Sequence, residues 1–207
     1  IGTYGLFVAL GLLAGLFVSN WMARKNAVDP NVILDLALIG VVSGIIGARL
    51  TYISVNFDDF LRQPMAYVFT RQGFVFGGGM IFAVVAAIIY LRRKKERVWK
   101  VADVIAPAIP LGHGIGRIGC FMAGCCWGKR CELPWGVQLP KATDPSGNPM
   151  GFAYVQHLEE GWIDPSALQS LPVHPVQLYE ALSLFLLSAI LFFVWRKRKF
   201  SGQVFLA

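Results

Sequence analysis

Between Pro110 and Gly136 the chain concentrates the residue types that do chemistry. This stretch holds His113, Arg117 and all four cysteines of the protein, Cys120, Cys125, Cys126 and Cys131. They are set among Gly112, Gly114, Gly116, Gly119, Gly124, Gly128 and Gly136. Glycine at this density lets backbone, or a ligand, approach backbone with no side chain between. Arg117 stands in an otherwise apolar segment, and a guanidinium there needs an anionic partner. One reading is an ion pair with Asp103, Glu180 or helix-end carbonyls. The other is a clamp on the phosphate of a lipid head group, which guanidinium binds bidentately. Arg49, in Gly47-Ala48-Arg49-Leu50-Thr51-Tyr52, is a second arginine of the same kind. Two such residues, with few acids near them, tilt the balance towards an anionic ligand.

A second polar group lies in Pro172-Val173-His174-Pro175-Val176-Gln177-Leu178-Tyr179-Glu180. Pro175 suits the first turn of a helix, which puts His174 near its N-cap. Gln177 and Glu180 then form a polar stripe, and such a stripe faces a cavity or a partner charge rather than lipid. His113, four residues before Arg117, shares its face if the segment is helical. It reads as a proton carrier or as a buried hydrogen-bonder. His157, in a polar loop, says little.

The cysteine spacing C-x4-C-C-x4-C lacks the C-x2-C pair of a zinc ribbon, so no metal is expected. Small buried residues plus one structural disulfide on an oxidising outer side is the preferred reading. A thiol-redox role for Cys125, Cys126 and Cys131 is the sharper one. Gly77-Gly78-Gly79 reads as close helix packing, or as a backbone surface against which a lipid lies.

The elements that position these residues are apolar helices. Hydrophobic residues make up 56% of the chain and charged ones only 15%, where soluble domains carry about 25% charge. Mean hydropathy is +0.56. Spans are expected over 4–22, 32–55, 74–91, 101–121 and 176–195, each near the ~20 residues that cross a bilayer core. The reading is an all-α polytopic membrane protein, one transmembrane domain over 1–207. It is a helical bundle of at least five transmembrane helices with a long extracytoplasmic loop over 127–171. Phe60, Leu61, Met65, Tyr67, Val68 and Phe69 are expected to lie along the interface as a short amphipathic helix. The alternating segments of a membrane barrel are absent.

The net charge of +7 is no nucleic-acid signal, because the basic residues cluster at the ends of apolar runs. Twelve Lys/Arg fall on one side of the five spans; Arg62, Arg71, Lys129, Arg130 and Lys141 fall on the other. This bias predicts that the N-terminus and the long loop lie outside the cytoplasm. Because the chain begins at Ile1 and ends at Ala207 within an apolar stretch, both termini are expected to be incomplete.

These residues resemble a family, the prolipoprotein diacylglyceryl transferases of the bacterial inner membrane. The likeness runs through Tyr4-Gly5, Gly47-Ala48-Arg49 with Tyr52, Gly78-Gly79, and Asp103, Pro107 and Pro110. It continues in Gly116-Arg117-x-Gly119-x-Phe121, Gly124-x-x-Trp127-Gly128, Pro134-Trp135-Gly136 and His174-Pro175-x-Gln177-Leu178-Tyr179-Glu180. Where the family signature reads Gly-Arg-x-Gly-Asn-Phe-x-Asn-x-Glu, this chain has Cys120, Ala123 and Cys125 at the Asn, Asn and Glu positions. Gly77 stands where the family often has histidine or tyrosine. The family continues further, with more helices and another functional arginine.

The resemblance implies transfer of the diacylglyceryl group of phosphatidylglycerol, or a related anionic phospholipid, to the lipobox cysteine of a prolipoprotein. A thioether forms and glycerol phosphate leaves. The expected roles are Arg117 and Arg49 on the phosphate, and Tyr4, Gln177 and Tyr179 on the head group. Gly78, Gly79 and Gly116 would lie along the lipid, and His174, His113 or Glu180 would take the thiol proton. No metal or organic cofactor and no nucleic acid are implied. The alternative is a catalytically degenerate, lipid-binding subunit working with other membrane subunits in a larger complex.

Overall fold

The computed structural model describes residues 3–69, 73–142 and 152–207. Among these the secondary structure is helical, apart from isolated bridges in the long loop. Five segments are long and apolar enough to cross a membrane: Thr3–Lys25, Pro30–Val55, Phe76–Arg93, Val98–Met122 and Val176–Lys197. They cover the five expected spans, and most run a few residues further into basic ends such as Arg24-Lys25, Arg92-Arg93 and Arg196-Lys197. Large apolar side chains are exposed along them, among them Phe17, Leu38, Ile81 and Leu182. An exposed surface of this kind suits hydrocarbon rather than water.

The fourth span is two helices. The helix α6 (Val98–Ile105) ends before Pro107, and α7 (Ala108–Met122) starts just after it, with Pro110 in its first turn, where an N–H has no intrahelical partner. Of the expected interfacial helix, two short pieces exist: α3 (Phe57–Arg62) and α4 (Pro64–Phe69), separated at Gln63. Proline cannot continue the preceding helix, so the single helix breaks there. Arg71 and residues 143–151 of the long loop lie outside the described residues.

The residues group into two compact units. One comprises the chain up to Gly15, the first part of α1 (Thr3–Lys25), with Ala106–Lys197. There α7 packs on α1 at Gly11 and Gly112, where a Cβ on Gly11 would stand 2.5 Å from the Gly112 carbonyl oxygen. It packs on α9 (Val176–Lys197) at Gly114, where a Cβ would meet Phe185 at 2.6 Å. Ser188 of α9 donates to the Pro107 carbonyl at 2.7 Å and so satisfies the helix break. Beyond α7 the long loop is folded. Leu139, Ala153 and Val173 form a small core, with Trp127 and Val137 against it and α8 (Phe152–Glu159) at its side.

The other unit comprises Leu16–Ile105 and Arg198–Ala207. Its centre is the contact of α2 (Pro30–Val55) with α5 (Phe76–Arg93). The α2 helix begins with Asp29 capping the Asn31 N–H at 2.9 Å and Pro30 in the first turn. Gly79 lies against α2, where an added Cβ would stand 2.7 Å from the Gly44 carbonyl oxygen. Asp103 is fully buried and accepts from the N–H groups of Gly202, Val204 and Phe205 at 2.7, 2.9 and 3.1 Å. It thereby seats α10 (Gln203–Leu206) on α6, with Arg198 3.5 Å away.

Gly78 and Gly79 thus pack closely against α2, the first of the two readings of this triplet. Thr51 and the Gly44 carbonyl already occupy that surface. Gly77 faces open space. Substitutions two residues apart on one helix should thus differ in effect. Gly79→Ala forces backbone apart and should lower the melting temperature in detergent, at a cost of ~1–3 kcal/mol. Gly77→Ala should leave it unchanged or raise it, by up to about 1 kcal/mol of helix propensity.

Candidate functional site

The candidate site is built at the C-terminal half of α7 and the first turns of α9. On α7, His113, Gly116, Arg117 and Cys120 follow one another at three- and four-residue spacing, so they share a face. His113 is exposed, and a Cβ on Gly116 would meet nothing within 4 Å, so this face is open beside Arg117. At Gly119 the helix packs against Phe7 and the Tyr4 carbonyl; the Tyr4 residue itself is exposed.

Arg117 is mostly buried, its side chain 16% exposed, and its Nε lies 2.5 Å from Glu180 Oε2 on α9. Of the partners expected for it, Glu180 is the one taken; Asp103 is committed to α10 and Arg198. The contact is charge to charge. Nε is buried without an acceptor in hydrogen-bonding geometry, so Glu180 sits close but off the N–H direction. The Glu180 side chain is half exposed. Nη1 of Arg117 points to Cys120 Sγ at 4.0 Å.

His174 precedes α9 and is fixed by its backbone. Its N–H donates to the Lys129 carbonyl at 2.9 Å, and its own carbonyl accepts from Gly128 at 3.0 Å. Gly128 is required because a Cβ would stand 2.6 Å from Val176 and 2.9 Å from the His174 Cβ. The ring Nδ1 lies 3.3 Å from the Tyr179 hydroxyl. Two neighbours in sequence thus serve two groups: Tyr179 holds His174, and Glu180 holds Arg117.

Gln177 does something else. It is 1% exposed, and its amide donates to the Cys125 carbonyl at 2.6 Å. Its amide thus holds the turn after α7, while its Oε1 is buried without a hydrogen-bond partner. That turn ends the helix with paired bonds, Cys125 N–H to Cys120 carbonyl at 3.1 Å and Gly124 N–H to Phe121 carbonyl at 3.0 Å. Gly124, with φ +66°, takes the left-handed position this closure needs.

All four cysteines are free thiols, so the expected structural disulfide is not formed. The closure of α7 groups Cys120 with Cys125 and Cys126, while Cys131 is buried in the loop, its N–H on the Pro172 carbonyl at 2.8 Å. Burial, reinforced by the neighbouring Cys126 thiol, pushes the Cys125 thiol up to about 12. It is therefore neutral and a poor nucleophile.

Arg49, in the other unit, donates from Nη1 to the Gly73 carbonyl at 3.0 Å, with its guanidinium carbon 4.6 Å from the Phe74 ring centre. His157, uninformative in sequence, is a buried structural residue: its Nδ1 accepts from the Leu171 N–H at 3.1 Å. A lone histidine in a polar loop carries no local signal that a long-range backbone donor will meet it.

The whole chain, residues 1–207, matches the family model described as Prolipoprotein diacylglyceryl transferase. The chain belongs to the prolipoprotein diacylglyceryl transferase family. It is similar to the phosphatidylglycerol–prolipoprotein diacylglyceryl transferase of Clostridium tetani, 32% identical over 202 residues, which is 98% of this chain and 72% of that protein. The enzyme of the same name from Rhodopirellula baltica is 37% identical over 147 residues, 68% of this chain and 30% of that protein. That of Synechococcus elongatus is 31% identical over 195 residues, 94% of this chain and 61% of that protein. The chain thus spans between about a third and three quarters of the length of these relatives.

Burial holds His157 below its ordinary value of 6.5, with Arg130 acting in the same direction and Glu160 against it. A folded value below the unfolded one means that the neutral ring stabilises the loop fully above about 6.5. That stability is lost as pH falls from there through the depressed value. Hydrogen-exchange protection over residues 152–173, taken relative to the intrinsic rate at each pH, should be lower at about pH 5 than at about pH 7.5. His157→Gln, which cannot take up a proton, should abolish the difference.

Proposed function

We propose that this chain transfers the diacylglyceryl group of phosphatidylglycerol to the lipobox cysteine of a prolipoprotein. The names of its relatives supply the two substrates. The observation that carries the assignment to this chain is Arg117. It is a mostly buried guanidinium within a membrane-spanning segment, with an unused Nε donor and a half-exposed counter-ion. A lipid phosphate entering over the open face at His113 and Gly116 competes with Glu180 for that charge, and Glu180 is free to move towards solvent.

In the reaction the acceptor thiol loses its proton, sulfur bonds to the glyceryl carbon, and the carbon–oxygen bond to phosphate breaks. Glycerol phosphate leaves carrying the negative charge. Arg117 stabilises that charge as it develops. We assign the proton to His174, whose ring is held at Nδ1 by the Tyr179 hydroxyl; with Nδ1–H donating to that oxygen, Nε2 accepts the thiol proton. His113 is the other candidate base. We assign Tyr4 and Tyr179, both exposed, to the head group, and Arg49 to a phosphate contact of its own. The Lys/Arg asymmetry supports a bacterial inner-membrane location with the N-terminus and the 127–171 loop outside the cytoplasm. Nothing in the comparisons favours a non-catalytic subunit.

Reconstitution in phosphatidylglycerol vesicles with a lipobox peptide tests this, read as the peptide's mass gain and the release of glycerol phosphate. Arg117→Ala should lower transfer at least ~10²-fold, as loss of a transition-state charge contact does. Arg117→Lys should restore part of it. Transfer that persists in an Arg117→Ala protein of unchanged melting temperature would remove Arg117 from the reaction. Of His174→Gln and His113→Gln, the variant of the true base should lose the acidic limb of the pH–rate profile; we expect His174.

A further inference from the structure

Three sulfur atoms converge just beyond α7. The Sγ atoms of Cys120, Cys125 and Cys126 all lie within 4.8 Å of one another, and those of Cys125 and Cys126 are 3.7 Å apart. We propose that these three cysteines form a three-thiolate site for a thiophilic cation, Zn2+ or Cu+. This goes beyond the transfer reaction and does not depend on it. It also departs from the sequence spacing, which argued against a metal.

The backbone explains the departure. In extended or helical chain, adjacent side chains diverge, so Cys125 and Cys126 would not serve one ion. Here the closing turn of α7 places residue 125 against residue 120, the pair of positions that such a helix end brings into contact. Cys126 then adopts φ +61°, in the left-handed region that non-glycine residues rarely occupy. That conformation returns its thiol to the same side as Cys125. A residue held there must be over-determined by its surroundings. The hydrogen bond from buried Gln177 to the Cys125 carbonyl, at 2.6 Å, holds the turn from α9.

The distances fit an ion. Metal–sulfur bonds of about 2.3 Å set three thiolates about 4 Å apart around a trigonal centre. The observed separations reach that triangle with side-chain rotation alone. An all-sulfur donor set selects Zn2+ or Cu+ over Mg2+ or Ca2+. Three thiolates carry more charge than either cation neutralises. Arg117, with Nη1 4.0 Å from Cys120 Sγ, faces that surplus with a positive charge. Binding displaces the thiol protons, one from each sulfur, and forms three metal–sulfur bonds without any oxidant.

The test uses the full chain in detergent micelles under anaerobic conditions. Co2+ is the spectroscopic probe; Zn2+ displacement and competition between Cu+ and a Cu+ chelator form two separate arms that identify the ion. Expected is one equivalent per chain, a thiolate-to-cobalt charge-transfer band, and protection of the exposed Cys126 thiol from alkylation that a chelator reverses. Cys131→Ser should bind as the parent does. Cys120→Ser, Cys125→Ser and Cys126→Ser should each weaken binding at least tenfold. Cys126 is exposed, so its variant tests the site without disturbing the buried sulfurs. Absence of the band with Cys126 alkylated equally fast with and without the ion, or equal loss of binding in Cys131→Ser, would overturn the proposal.

Discussion

A guanidinium within a membrane span is the constraint on which the candidate site depends. Leaving an arginine bare at that depth costs about 3 kcal/mol even on lenient scales, so Arg117 must be given negative charge by its surroundings. Glu180 supplies it at 2.5 Å from the second turn of α9. The pair draws α9 onto α7, and the glycines of α7 permit the approach: Gly114 admits Phe185, and Gly112 admits Gly11 of α1. Charge pairing and small-residue packing therefore specify the same arrangement of helices within that unit. The pairing is nonetheless incomplete as a hydrogen bond, and its acid is half exposed. An incomplete pair satisfies the resting chain while leaving capacity for a stronger anion such as a phosphate.

The second unit handles its buried charge differently. Asp103 is fully buried and accepts from three backbone N–H groups of the C-terminal turn, with Arg198 nearby. Its capacity is spent on structure. Two intramembrane ionic groups thus divide by how completely they are satisfied: Asp103 is taken up by its donors, whereas the Arg117–Glu180 contact leaves Nε without an acceptor. Gln177 lies between the two: its amide supports the turn through the Cys125 carbonyl, and its buried Oε1 has no hydrogen-bond partner.

That turn shows how much one helix end can organise. Gly124 in the left-handed region closes α7, brings Cys125 onto Cys120, and hands the chain to Gln177.

Much was legible in the sequence. Apolar runs of about 20 residues bounded by Lys and Arg determined the five spans, because backbone in hydrocarbon must satisfy its own hydrogen bonds and a helix does so locally. The order Gly116-Arg117, Gly124, Trp127-Gly128 and His174-Pro175 determined the family, because each residue meets a local backbone or charge requirement. What the sequence did not contain was any long-range partner. It left Arg117 between Asp103 and Glu180, gave no sign that α2 covers Gly78 and Gly79, and made a disulfide more attractive than a thiol cluster. Tertiary structure decided these because they depend on which helix faces are brought together and on the sign of φ at single residues such as Cys126. Neither quantity is recorded in hydropathy or spacing.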